Sequence, residues 1–241
     1  MTSKATELQL LTASLPMDIT LPQALLLLSL NDKTGKTEDG YYQPALAGAA
    51  LADLFLHNTI ELQADPEVIV PLRHSVDLGA FLSICDQAIG SASKPQGLVY
   101  WVNQLAAQKD FIATIADELC HLGALTREST KVFGLFSRTV WPEASPAMES
   151  ALKAEMAQAM FQETGPVNER ICLTIALAQA VDLLPYNFDP ALLETHANRV
   201  ASIAEGNCLS SSSSDAVVAS VNKAIRAANA MAESAVAGII Q

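Results

Sequence analysis

The side chains able to do chemistry are few and scattered. The histidines are His57, His74, His121 and His196, and none shows a ligand spacing such as HExxH. Cys120 and His121 are adjacent, so on a helix they point to different faces and do not converge on a metal. Cys85, Cys120, Cys172 and Cys208 are widely separated, lack a CxxC, and sit mostly in apolar helical stretches. Buried free thiols are their expected state. Asp53 and the pair Asp117-Glu118 occupy matching places in two similar segments. Paired carboxylates suit acid–base work, but no nucleophile accompanies them, and charges on helix surfaces are the expected role. Asp182 lies in the nearly apolar run LAQAVDLL. A buried partner is expected for it, a backbone N–H or a base such as Arg170. The TGKT of residues 34–37 lacks the upstream glycine and strand of a phosphate loop, and neither GxGxxG nor GxSxG occurs. No metal, cofactor or catalytic residue is expected.

One stretch has a distinct character. Arg127 to Trp141 carries Arg127, Lys131 and Arg138 beside Phe133, Phe136, Val140 and Trp141, with one acid, Glu128. Three of the chain's 14 basic residues fall there, against a net charge of −12. Basic side chains interleaved with aromatics suit a membrane interface, an anionic ligand or another subunit. The plainer alternative is a hairpin whose aromatics pack on the core.

These residues must be positioned by helices. Half the residues are hydrophobic and 5 % aromatic, with many Ala and Leu, which favours helix over a β-sandwich. In ITLPQALLLLSLNDKTGKT, Thr20 can cap a helix, Pro22 fits its first turn, and Asn31 to Gly35 supply a turn. A second nearly all-apolar helix, ERICLTIALAQAVDLL, begins after the candidate cap Asn168. Between them a pattern recurs. LADLFLHNTIEL followed by EVIVPL, and IADELCHLGALT followed by KVFGLF, both read as helix, turn and hairpin, with Gly123 a natural left-handed cap. In the second unit, residues 127–130 read as the turn and 131–136 as a strand. Helices are also expected over 77–90, 98–107, 146–163, 190–203 and 216–240. The sequence predicts a mainly α fold. Central apolar helices at Leu21–Leu30 and Arg170–Leu184 are ringed by amphipathic ones, with small β-hairpins at the edge.

The four quoted stretches, in this order and spacing, resemble the Golgi phosphoprotein 3 family over about residues 18–190. These are peripheral membrane proteins that bind phosphatidylinositol 4-phosphate and glycosyltransferase tails. The resemblance implies a largely helical domain, no enzymatic activity, and an adaptor role on a membrane. It also implies that a hydrophobic hairpin, here about Lys131 to Trp141, mediates both membrane contact and self-association. The family's head-group site uses a tryptophan in the loop after the first turn. The corresponding loop TEDGYYQ offers Tyr41 and Tyr42. The family has an arginine before the glycine of the next helix, where this chain has Ala47 before Gly48. It has two further arginines before the hairpin-side helix, where only Lys109 is basic and Ile112 falls near the second position. A phosphomonoester there meets few charge-assisted donors.

The expected organisation is a lead-in over residues 1–17 and one helical domain over 18–241. The expected partners are an anionic phospholipid and a second copy through the 131–141 hairpin. The other reading is an oligomeric interaction scaffold that does not bind phosphatidylinositol 4-phosphate. The acidic balance speaks against nucleic acid and against a winged-helix role. Apolar runs on the scale of Ala24 to Leu28 are far short of a membrane span, and the N-terminus lacks the basic-then-apolar layout of a secretory signal. A cytoplasmic protein, peripheral on a membrane surface, is expected.

Overall fold

Five leucines in nine residues leave helix α1 (Leu21–Ser29) no polar face to show to water, and all nine residues are buried. Burying each leucine contributes roughly 1.5–3 kcal/mol. Both ends are fixed locally. Thr20 accepts from the Gln23 backbone N–H at 3.3 Å, and the Gln23 side chain accepts from the Thr20 N–H at 2.9 Å, a capping box. At the far end the Asn31 side-chain oxygen accepts from the N–H groups of Lys33 and Thr34, at 3.2 and 3.0 Å. Gly35 follows at φ 58°. A Cβ there would stand 2.2 Å from the backbone of Trp141 and Pro142, so only glycine lets this loop cross the later segment.

The computed structural model describes residues 19–36, 42–64, 66–72, 77–132, 136–162, 164–208 and 230. Within them α2 is Tyr42–Leu56, α3 Gly79–Gly90, α4 Leu98–Ala106, α5 Phe111–His121 and α6 Ala147–Ala157. A π-helical turn, Gln158–Gln162, extends α6. Then come α7 Glu169–Ala180, α8 Leu184–Asn187, α9 Pro190–Thr195 and α10 Ala197–Ala204. Helix α1 packs against α2, α5, α6 and α7, and α2 against α3 and α4. The alanines of α2 permit this close approach: Ala45, Ala47, Ala49 and Ala50 are fully buried. The fold is mainly α, as expected, with two antiparallel hairpins.

The hairpins are built alike and seated differently. Strands β1 (Ile60–Ala64) and β2 (Glu67–Pro71) pair with Leu62 opposite Ile69. Ile60, Leu62 and Ile69 are buried, β2 packs on α3 and α4, and the Ile69 N–H donates to the Gln96 carbonyl at 2.7 Å. Strands β3 (Glu128–Val132) and β4 (Phe136–Val140) pair with Thr130 opposite Arg138. None of the larger helix contacts involves them, and among the hairpin residues whose side chains are described Val140 is buried while Lys131, Ser137 and Arg138 are exposed.

Four local expectations are corrected. The second hairpin runs over 128–140, so residues 127–130 are not its turn: β3 begins at Glu128 and β4 at Phe136. Helix α7 stops at Ala180 rather than at Leu184, because Asp182 takes a left-handed φ of 55°. The single helix expected over 146–163 becomes α6 plus the π turn. The helix expected over 190–203 divides at His196 into α9 and α10. The terminal helix expected over 216–240 lies outside the described residues, apart from Ala230, which is helical and buried.

Candidate functional site

Each helix–hairpin unit carries an acid just before its left-handed turn. In the first, Asn58 at φ 54° ends the helix and the Thr59 N–H donates to the Leu54 carbonyl at 3.1 Å. In the second, Gly123 at φ 77° does so and the Ala124 N–H donates to Leu119 at 3.0 Å. Superimposing these turns matches Asp53 with Glu118, one residue on from the Asp117 that simple alignment selects. Both acids do the same work. Asp53 Oδ2 accepts from the Leu21 N–H at 2.6 Å, at the start of α1. Glu118 Oε1 accepts from the Phe81 N–H at 2.8 Å, in the first turn of α3. A carboxylate at a helix N-terminus satisfies an orphan donor and opposes the positive end of the helix dipole.

The two acids are joined through α1. Glu118 Oε2 accepts from Gln23 Nε2 at 2.8 Å, and Gln23 closes the capping box with Thr20. On the other side, Arg170 Nη1 reaches Asp53 Oδ1 and Oδ2 at 3.0 and 3.3 Å and the Ile19 carbonyl at 3.3 Å. Asn168 caps α7 by accepting from the Arg170 and Ile171 N–H groups at 2.9 and 3.4 Å, and this orients Arg170 toward Asp53. One polar chain thus ties together the starts of α1, α3 and α7. It overturns two expectations. Asp53 is a wholly buried carboxylate and not a surface charge. Asp182 is exposed in its turn, and Arg170 serves Asp53 instead. The reason is geometric, since the kink at Asp182 ends α7 and turns that side chain to water.

The chain of bonds occupies the oxygens of both acids. His57 Nδ1 lies 2.9 Å from the Asp53 carbonyl and His121 Nδ1 lies 2.7 Å from the Asp117 carbonyl. Two clefts of about 470 and 590 Å³ flank Arg170 and share Ile19 and His57 with it. Among the described residues no three His, Cys, Asp or Glu side chains gather as metal ligands. Burial pushes the thiols of Cys85 and Cys172 up to about 12, and it raises half-buried Cys120. All four cysteines are free. Burial also raises the Glu149 carboxyl, against the pull of its ion-pair partner Lys153.

The expected contact residues lie apart from this network. Arg127 is exposed and donates to Asp117 Oδ2 at 3.0 Å. Lys131 and Arg138 are exposed and, by the strand register, belong to opposite faces of the ribbon. Trp141 is half-buried against the core, and its backbone N–H donates to Gly35 at 3.1 Å. The hairpin base is closed by Thr126 to Pro142 at 2.9 Å and Glu143 to Asp32 at 3.2 Å. Phe133 and the side chain of Phe136 lie outside what is described, as do Tyr41, His74 and the side chain of Tyr42. Lys109 is exposed in the turn after α4, and Ala47 is fully buried. The clefts beside Arg170 are lined by other residues than these.

Acids at the helix starts brace the bundle, and of its two hairpins one is set into the core and one is tied at its base. Comparison with known families supplies the class. The model described as Golgi phosphoprotein 3 (GPP34) matches residues 21–228, and the chain belongs to that family. A comparison with curated proteins finds no match. Among the described residues no helix is long and apolar enough to cross a membrane.

Proposed function

We propose that the chain is a non-enzymatic adaptor that seats peripherally on the cytoplasmic face of a membrane through the β3–β4 ribbon. The observation that carries this reading is the contrast in seating: β1–β2 is built into the core, while among the described residues β3–β4 is tied to the rest at its base. Lys131 and Arg138 stand exposed on its two faces, and in sequence Phe133 and Phe136 lie close to one another around the link between the strands. An anionic lipid surface attracts each such cation by about 1 kcal/mol, within a Debye length. Family membership supports the same role. At the head-group positions Tyr41, Tyr42 and Lys109, one cation replaces the family's several donors, so the proposed lipid preference is for general negative charge over phosphatidylinositol 4-phosphate.

Co-sedimentation of the full chain tests this. The vesicles are neutral phosphatidylcholine, the same with phosphatidylserine, and the same with phosphatidylinositol 4-phosphate. Pelleting with both anionic mixtures at low salt is expected. Failure on every anionic vesicle would sink the membrane role. A second reading, an oligomeric scaffold without a lipid site, is favoured by the net charge of −12 and by the engagement of Arg127 with Asp117. Solution mass decides it. An oligomer dissociated by Phe136→Ala would place the ribbon between copies. Trp141→Ala is the poorer probe, because that ring also packs on the core.

A further inference from the structure

We propose that Cys172 and Cys208 close a reversible disulfide under peroxide, stapling core helix α7 to the chain that leaves α10. Cys172 lies in the first turns of α7, and its Sγ donates to the Ile203 carbonyl at 3.0 Å. The Cys208 Sγ lies 3.3 Å from Ser202 Oγ and 3.0 Å from Arg199 Nη1. Ser202 and Ile203 are consecutive on α10, so the two sulfurs bracket one short stretch of that helix. The backbone holds the arrangement: the Cys208 carbonyl accepts from the Val167 N–H at 2.7 Å, immediately before the Asn168 cap of α7. Burial chiefly raises the Cys172 thiol, and a thiolate at Cys208 adds to that rise. The other two thiols, Cys85 and Cys120, feel only carboxylates and Arg127.

Cys208 is the thiol that meets the oxidant. It is 9 % exposed against 0 % for Cys172, and the Arg199 cation stands against its sulfur. Arg199 is itself held by the carbonyls of Ala159 and Gly165 at 3.3 and 2.8 Å. The Cys208 sulfur attacks hydrogen peroxide, its S–O bond forms as the O–O bond breaks, and hydroxide leaves with the thiol proton as water. The Cys172 sulfur then attacks the sulfenic acid. Its own proton goes to the departing oxygen, and a second water leaves. Two thiols are oxidised by two electrons, and one peroxide is reduced.

The test uses the full chain treated with hydrogen peroxide, then quenched and alkylated under denaturing conditions. Peptide mapping is expected to find a Cys172–Cys208 cross-link and two alkylatable thiols in place of four per chain. Dithiothreitol should restore all four. Cys208→Ser should abolish the cross-link, while Cys120→Ser should keep it. The oxidised chain should also melt at a higher temperature than the reduced chain, a gain that Cys208→Ser removes. Four remaining thiols, a cross-link between other cysteines or between chains, or irreversible oxidation of Cys208 with Cys172 still free would each overturn the proposal.

Discussion

Helices α2 and α5 each end in a left-handed residue and pass the chain to a hairpin, yet the hairpins meet opposite fates. Ile60, Leu62 and Ile69 turn β1–β2 inward, and Gln96 ties its second strand to the loop before α4. The first strand of the second hairpin reads Glu128-Ser129-Thr130-Lys131-Val132, polar at four of its five positions. The acids differ in the same sense. Asp53 is sealed and carries a cation, Arg170, whereas Glu118 is half-buried and carries only neutral donors. One local design is thus used once as a load of the core and once as a projecting ribbon. The choice is made by which strand residues are apolar, not by the turn that precedes them.

The widest separation between the units is expected at their acids. Asp53→Ala strands Arg170 and orphans the start of α1, and a loss of about 3–5 kcal/mol in denaturant unfolding should follow. Glu118→Ala should cost only about 1–2 kcal/mol, the scale of a lost cap. Equal costs would break the contrast. At the hairpins, Ile69→Ala should cost about 2–4 kcal/mol by leaving a cavity. Lys131→Ala with Arg138→Ala should stay within about 0.5 kcal/mol each while weakening pelleting with phosphatidylserine vesicles.

A pH-dependent effect separates the thiols. Cys85, on α3, is pushed from 9.0 to about 12 by burial, with Glu118 and Asp86 adding to the rise. The unfolded chain therefore releases this proton first, and stability falls as pH rises from about 9 towards 12, by at most about 1.4 kcal/mol per pH unit. Cys85→Ala should flatten that slope relative to the parent chain in unfolding titrations. Cys120→Ala, on half-buried α5, should flatten it less.

Much of the frame was legible. The all-leucine run, the Thr20 and Asn168 caps and the Gly123 turn all act as their residue types predict. The hairpin units were visible as a repeat, although the strand of the second was misplaced. KVFGLF looks more like a strand than ESTKV, but pairing to Phe136–Val140 recruits the polar segment. The polar network was not legible, because Arg170 and Asp53 are 117 residues apart and nothing local links them. The trace it left was an acid inside the apolar run LADLFL, where a lone surface charge has no surface to occupy. Asp182 left the same trace and proved to be exposed, since its run contains a helix end that propensity alone did not mark.

That separation has a consequence for how the protein is made. A chain emerging at about 5–20 residues per second presents Asp53 roughly 6–23 s before Arg170 exists. During that interval α1 and α2 can approach only with an uncompensated carboxylate between them. The ion pair that seals Asp53 therefore closes only after the second half of the chain has arrived.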